Sequence, residues 1–184
     1  MKLSVETHQL FGYRATLRTA KHLAEEAVRI VDRAVPGRMP DVRVVLTSER
    51  SVAEVATAAE FKTAECTDKR VRTRTVREAN RSARDTAGRA IPLADGGVLV
   101  VINIDQHRNE AEFAITLVHE LVHAMQLSRD GVRDRIVAAL RHDLHVERLS
   151  RRQVREHERC LEQEEKEAYG VEYLAGRLVP SAAA

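Results

Sequence analysis

Hydrophobic residues recur at regular intervals along the first third of the chain. In residues 16–35 they fall at the spacing of one helix face and Pro36 follows at once, so this stretch predicts a helix. Residues 42–47 largely alternate in polarity with a period of two, which is typical of a half-buried strand. Ser51 and Glu54 have the spacing of a capping box and predict the start of a second helix.

A second group of apolar residues predicts a β-hairpin. Residues 91–94 and 98–104 are separated by an Asp-Gly-Gly sequence, and an Asp-Gly pair favours a tight turn. The second arm, residues 98–104, is a strongly strand-forming run. Pro92 cannot donate a hydrogen bond to a neighbouring strand, so the first arm should lie at the edge of a sheet.

Helical spacing returns after the hairpin and continues almost to the end of the chain. Three helices are predicted, and no linker or internal repeat separates them from the preceding elements. The first has a cap at Asn109 and Glu112 and stops near Gly131, the second contains Ile136, Leu140 and Leu144, and the third runs from a cap at Ser150 and Gln153 to Val179. We therefore expect a single domain over residues 1–180, followed by a frayed tail at 181–184.

Residues 70–89 are rich in arginine and have no large apolar stripe. Arg70, Arg72 and Arg74 alternate with smaller residues, which indicates an exposed edge strand that leads into a loop and is kept soluble by its charge. The alternative is a flap that faces a substrate, or a patch that binds nucleic acid by neutralising phosphates. Aromatic residues make up only 3% of the chain, so stacking on single-stranded nucleic acid is not expected.

The composition is that of a globular protein with nearly balanced charge. The 184 residues are 43% hydrophobic and carry a formal net charge of +2, which by itself indicates no particular partner. No apolar run is long enough for a signal or membrane-spanning segment, so we expect a cytoplasmic protein without a membrane partner. Cys66 and Cys160 lie far apart in sequence, which argues against a disulfide framework and against a thiolate zinc site.

The predicted helix after the hairpin contains the sequence His119-Glu120-Leu121-Val122-His123. Residues four apart lie on one helix face, so both imidazoles can bind a single ion. Zinc suits neutral imidazole nitrogen, and two histidines leave room for a third protein ligand and a water. Glu120 lies beside the same face and can accept a proton from that water, which suits the hydrolysis of an amide.

This motif, with the strand before it and a glutamate-bearing helix after it, resembles the gluzincin branch of the zincin metallopeptidases. The resemblance covers residues 97–179, and its HExxH element is the specific part. It implies an α+β fold in which a small mixed or antiparallel sheet packs on the active-site helix. It also implies that residues 98–104 form an edge strand along which an extended substrate pairs.

Gluzincins take their third ligand from a glutamate on a downstream helix, commonly followed three positions later by a small residue. Glu165, with Ala168 and Tyr169, resembles the ExxA[ND] element of ImmA/IrrE-type and HtpX-type peptidases, although Tyr169 replaces the usual Asp or Asn. Glu167 is a second candidate. Helical-wheel geometry offers a third, since Glu164 lies within an apolar stripe, where a carboxylate needs a cation or a partner.

Three further histidines and two tyrosines have side chains that are chemically suited to such a site. His157 could replace the glutamate as third ligand. His142 and His145 are spaced three apart on a predicted helix, but their charged surroundings indicate a solvated face. Tyr169 or Tyr173 could donate a hydrogen bond to the oxyanion of a transition state.

The sequence therefore predicts a cytoplasmic zinc metalloendopeptidase that acts on a protein or peptide. One Zn²⁺ per chain is expected to bind His119, His123 and Glu165, with Glu120 as the base. The alternative is a zincin-fold protein that binds a partner or nucleic acid and uses zinc mainly as a structural tie. The intact Glu120 favours the enzyme, because a structural site has no need of that carboxylate.

Overall fold

The computed structural model describes residues 1–10 and 12–179, so the predicted tail at 181–184 lies outside the described residues. Within these ranges the chain folds into one four-stranded mixed sheet and six α-helices, which confirms the predicted α+β class. The strands are β1 (Leu3–Thr7), β2 (Val42–Thr47), β3 (Gly88–Pro92) and β4 (Val98–Asn103). The helices are α1 (Arg14–Ala34), α2 (Glu49–Thr63), α3 (Lys69–Ser82), α4 (Glu110–Gln126), α5 (Val132–Asp143) and α6 (Arg151–Val171).

The strands follow the order β1-β2-β4-β3 across the sheet. The first three strands in this order run parallel, whereas β3 pairs antiparallel with β4. The prediction that Pro92 lies in an edge strand is confirmed, because β3 forms one border of the sheet. The predicted edge position of residues 98–104 is wrong, because β4 lies between β2 and β3 and forms hydrogen bonds with both.

Both faces of the sheet are covered, and this explains the central position of β4. Val98, Val100 and Ile102 pack with α1 and α4 in the larger core, whereas Leu99 and Val101 face the smaller core under α2. All six residues of β4 are buried. A continuous apolar run of this kind is typical of a strand that is enclosed on both faces. The core thereby fixes α4 against one face of the sheet.

Two of the predicted helix caps are confirmed. The Asn109 side chain accepts a hydrogen bond from the backbone N–H of Glu112 at 2.9 Å, and Ser150 with Gln153 forms a complete capping box. The predicted capping box at Ser51 is wrong, because α2 begins at Glu49 and the Ser51 hydroxyl instead donates to Gln9 at 2.8 Å.

The ends of two helices differ from the prediction. α4 ends at Gln126 rather than near Gly131, and α6 ends at Val171 rather than Val179. Beyond α6 the chain tightens into a 3₁₀ turn, Glu172–Arg177, which buries Leu174 and Ala175 against α4. None of the described helices has the length and apolar character needed to cross a membrane.

The arginine-rich segment is mainly helical, so the prediction of an exposed edge strand over residues 70–89 is wrong. Asp68 caps α3, and its carboxylate accepts hydrogen bonds from the backbone N–H groups of Arg70 and Val71 at 2.7 and 3.2 Å. The half-buried Val71 and Thr75 are four residues apart and share the helix face that lies against the rest of the protein. Because arginine and threonine also alternate with a period of two, the strand pattern concealed this helical spacing.

Candidate metal centre

The histidines of the HELVH sequence line a cleft on the side of α4 that faces away from the core. Leu121 and Val122 are fully buried in the larger core, and this fixes the rotation of α4 so that His119 and His123 face the opposite side. The cleft has a volume of about 650 Å³ and runs between β3, α4, α5 and α6. The helix thus presents both imidazoles to an accessible space.

The structure brings Glu165 of α6 next to the two imidazoles. The Nε2 atoms of His119 and His123 lie 3.1 Å apart. The carboxylate oxygens of Glu165 approach these two nitrogens at 3.5 and 3.4 Å, respectively. One ligand atom from each residue therefore lies within 4.8 Å of the other two, as a shared ion requires.

The second nitrogen of each ring is held by a different hydrogen-bond partner. His119 Nδ1 lies 2.8 Å from Glu172 Oε1, and His123 Nδ1 lies 2.8 Å from Gln126 Oε1. The amide orientation of Gln126 follows from its own bonds, because its Nε2 donates to the Glu164 carbonyl and to a Glu167 carboxylate oxygen. Both Nδ1 atoms thus face acceptors and carry the ring protons, which leaves both Nε2 atoms as lone-pair acceptors.

The Nε2 atoms of His119 and His123 and the Glu165 carboxylate are acceptors that face one another without a proton between them, so they repel. A cation between them removes that repulsion. The donor set fits zinc, whose bonds to nitrogen and oxygen are about 2.0–2.2 Å long in a tetrahedral site. Two ligands of such a tetrahedron are separated by about 3.3–3.5 Å. The two Nε2 atoms are 3.1 Å apart, and the nearest Glu165 oxygens, Oε2 for His119 and Oε1 for His123, lie at 3.5 and 3.4 Å, close to this value. His119, His123 and Glu165 therefore form a suitable three-ligand site with one side open to the cleft.

Glu120 is enclosed between α4 and the edge strand β3. It is only 6% exposed, and its carboxylate lies beside the β3 backbone near Gly88 and Ala90. Burial, and to a smaller extent the nearby Glu165 carboxylate, raise the pKa of Glu120 to about 8. A carboxyl group in these surroundings can exchange a proton near neutral pH.

Gly88 makes the close approach between β3 and Glu120 possible. A Cβ atom at position 88 would lie 2.7 Å from Cγ of Glu120 and 2.8 Å from Cγ2 of Thr116. Any larger residue would therefore have to displace the Glu120 side chain or the strand.

The two competing glutamates of α6 are engaged by arginines rather than by the histidines. Glu167 forms a bidentate pair with Arg129, with N–O distances of 2.7 and 2.6 Å. Glu164 forms an ion pair with Arg135 of α5. The Arg135 guanidinium group is therefore the partner that this carboxylate needs within the apolar stripe. Among the three candidates, Glu165 is the one that the structure places beside the histidines.

The remaining candidate histidines bind other groups. His157 Nδ1 lies 2.9 Å from an Arg135 nitrogen, which draws the His157 side chain towards α5. His142 Nδ1 accepts a hydrogen bond from the Leu149 backbone at 3.2 Å, whereas His145 Nε2 contacts Arg74 at 2.7 Å. The structure therefore does not bring His142 and His145 together around one point.

Of the two tyrosines, Tyr169 is the one that contacts the centre. Its ring packs edge-on against His119 with a centroid distance of 4.9 Å, and its side chain borders the cleft. Tyr169 and Tyr173 are 64% and 63% exposed, so neither is held in a buried donor position.

Sequence reasoning missed Gln126 and Glu172. Gln126 lies three residues after His123, so the two share a helix face, and a polar residue that is only 2% exposed needs such partners. Glu172 lies seven residues after Glu165 and keeps helical backbone angles, so helical spacing would have placed it on the same face. Glu172 supplies the carboxylate contact to His119 that Tyr169 cannot provide.

No protein-family model, curated protein or solved structure matches this chain. The interpretation of the site therefore depends on its residues and their geometry.

Our first prediction concerns the three glutamates of α6. Glu165→Gln should lose most of its zinc on desalting, because one of three protein ligands is replaced by a weaker neutral oxygen. The matched variants Glu164→Gln and Glu167→Gln should keep about one zinc per chain but unfold at lower temperature, because Arg135 or Arg129 loses its ionic partner. Elemental analysis measures the zinc content of each variant, and thermal unfolding measures its melting temperature. Zinc loss from Glu164→Gln or Glu167→Gln with retention in Glu165→Gln would show that the ligand is misassigned.

Our second prediction concerns Gln126. Gln126→Leu should weaken zinc binding about 10- to 100-fold, because His123 loses the acceptor that orients its ring. A competition titration with a chromogenic chelator measures the affinity. Ser128→Ala is a suitable control, since Ser128 follows α4 and its hydroxyl donates to the Met125 carbonyl without contacting either histidine. Equal zinc affinity in Gln126→Leu and the wild type would mean that this hydrogen bond does not support the site.

Our third prediction concerns the stability of the metal-free protein. A carboxyl group whose pKa rises from about 4.5 in the unfolded chain to about 8 in the folded one destabilises the fold progressively across that pH interval. Glu120→Gln removes this titration and keeps the size and shape of the side chain. In the presence of a metal chelator, the melting temperature of Glu120→Gln minus that of the wild type should therefore increase from pH 5 to pH 8. A difference that is independent of pH over this interval would contradict the burial argument.

Proposed function

We propose that the chain is a zinc-dependent endopeptidase that hydrolyses an internal peptide bond of a protein or peptide. The single observation that carries this proposal is the convergence of His119, His123 and Glu165 at a cleft whose wall also contains Glu120. Zinc bound there would polarise the scissile carbonyl and lower the pKa of the attacking water. The protein residues would hold the ion, accept the proton of that water and align the substrate.

Glu120 is the proposed general base. Burial raises its pKa to about 8 in the metal-free protein, and the positive charge of a bound ion nearby would lower that pKa, so the carboxylate could accept a proton from the attacking water and return one to the leaving amine. Gly88 lets the β3 backbone pack close to this carboxylate, and the side chain is almost completely buried. These contacts support a base held in one position rather than a solvated surface acid.

The role of substrate-binding strand is assigned to β3. Ala87 and Leu93 form backbone hydrogen bonds with residues in or next to β4. In an antiparallel pair these bonds alternate, so the backbone groups of Gly88 and Ala90 point away from β4, and Glu120 of α4 approaches the strand closely at Gly88. An extended peptide could pair with the remaining groups on this side and lie across the cleft.

Our fourth prediction tests this function. Glu120→Gln should keep about one zinc per chain but cleave a quenched fluorescent peptide library or unfolded casein about 10²- to 10⁴-fold more slowly, because it lacks the base. His119→Ala should lose both zinc and cleavage, since a ligand is removed.

Two outcomes would contradict the proposed function. Equal cleavage rates for the wild type and Glu120→Gln would mean that this carboxylate is not the base. Full zinc occupancy without cleavage of either substrate would instead favour a structural zinc in a protein that binds a partner.

A further inference from the structure

α3 is an exposed helix with a strongly positive charge. Six of its fourteen residues are basic and one is acidic, so it carries a net charge of +5, whereas the whole chain has +2. No residue of α3 is buried, and all of α3 lies within the described ranges. The rest of the chain is therefore acidic overall, and the positive charge is concentrated on one surface element.

Four arginines form one stripe along the outer face of α3. Arg70, Arg74, Arg77 and Arg81 are spaced by four, three and four residues, which places them on one side of a helix. All four are exposed, whereas Thr75 and Ala79 on the opposite side are half-buried, and Val71 at the flank packs against the cluster beneath. The stripe extends over about 16 Å at the helical rise of about 1.5 Å per residue.

The stripe has little internal neutralisation. Arg74 lies 3.9 Å from Glu78 and contacts His145, but both members of the Arg74–Glu78 pair are more than half exposed. The side chains of Arg70, Arg77 and Arg81 form no hydrogen bond or ion pair with any residue in the described part of the chain. Because α3 is a helix, these charges do not protect a sheet edge from aggregation, and that explanation of the arginines no longer applies.

We propose that the arginine stripe of α3 binds the phosphate backbone of double-stranded nucleic acid. Guanidinium groups bind phosphate oxygens through paired N–H donors, and a stripe of about 16 Å matches four to five base-pair steps of about 3.4 Å. The inference does not depend on the proposed peptidase activity, because α3 does not contribute to the zinc site.

The chemistry of this face favours a duplex over other polyanions. α3 contains no aromatic residue on which unpaired bases could stack, so a single strand would gain charge contacts alone. The outer face also lacks the apolar residues that anchor a helix in a membrane interface or form the centre of a protein interface. The outer face of α3 therefore presents a regular array of guanidinium groups, which bind phosphate.

Our fifth prediction tests this surface by fluorescence anisotropy with a labelled 20-base-pair DNA duplex. In the triple variant Arg70→Gln, Arg77→Gln and Arg81→Gln, the affinity should fall on the order of tenfold or more at about 0.1 M salt. The slope of log affinity against log salt should also decrease in magnitude by about 3, one for each lost phosphate contact. The exposed positions of these arginines make an unchanged melting temperature the expected folding control.

The chain offers a matched control on α1. Arg14, Arg18 and Lys21 are exposed, have a similar helical spacing and remove the same charge when replaced by Gln, but their stripe ends in Glu25. This control variant and the His119→Ala variant should bind the duplex within about twofold of wild type. Equal losses of duplex affinity in the α1 and α3 variants would show that binding depends only on net charge, and would overturn the proposal. Wild-type failure to bind, or tighter binding to phosphatidylserine vesicles or single strands than to the duplex, would also overturn it.

Discussion

The arrangement of the site depends on three lone-pair acceptors that face one another across about 3 Å. The imidazole nitrogens of His119 and His123 and the carboxylate of Glu165 repel unless a cation lies between them. Glu172 and Gln126 hold the ring protons on the far side of the imidazoles, so neither ring can turn a donor towards its neighbour without losing a bond. These contacts thus keep the three candidate ligands in an arrangement that a bound cation would stabilise.

Of three glutamates on α6, Glu165 faces the two imidazoles, whereas Glu164 and Glu167 form ion pairs that attach the helix to other elements. Glu164 is tied to α5 through Arg135, and Glu167 is tied through Arg129 to the segment that follows α4. Gln126 joins the two parts of the centre, because its oxygen contacts His123 and its nitrogen contacts the Glu164 carbonyl next to Glu165. The orientation of one imidazole and the position of the helix that carries Glu165 are therefore linked through a single amide.

Sequence patterns were sufficient where a local rule determines the structure. The spacing of His119 and His123, the caps at Asn109 and Ser150, and the edge position of Pro92 follow from helix geometry or from a missing donor. The choice among Glu164, Glu165 and Glu167 could not be derived in this way. Adjacent helix positions differ by about 100°, so that choice depends on how the arginines of other elements rotate α6.

Other errors had identifiable causes. The edge position of residues 98–104 came from the zincin resemblance, whereas their continuous apolar run indicated an enclosed strand. The arginine-rich segment supports both a period of two and helical spacing, and the Asp68 cap favours the helix. Glu172 was missed because it belongs to no ligand motif, although it lies seven residues after Glu165 on the same helix face.

X-ray absorption spectroscopy at the zinc edge distinguishes the proposed ligands from other donor sets. We expect one zinc per chain with two imidazole nitrogens and carboxylate oxygen at about 2.0–2.2 Å, and no sulfur ligand. A spectrum with sulfur scattering, or with only oxygen ligands and no imidazole, would contradict the assignment of His119, His123 and Glu165.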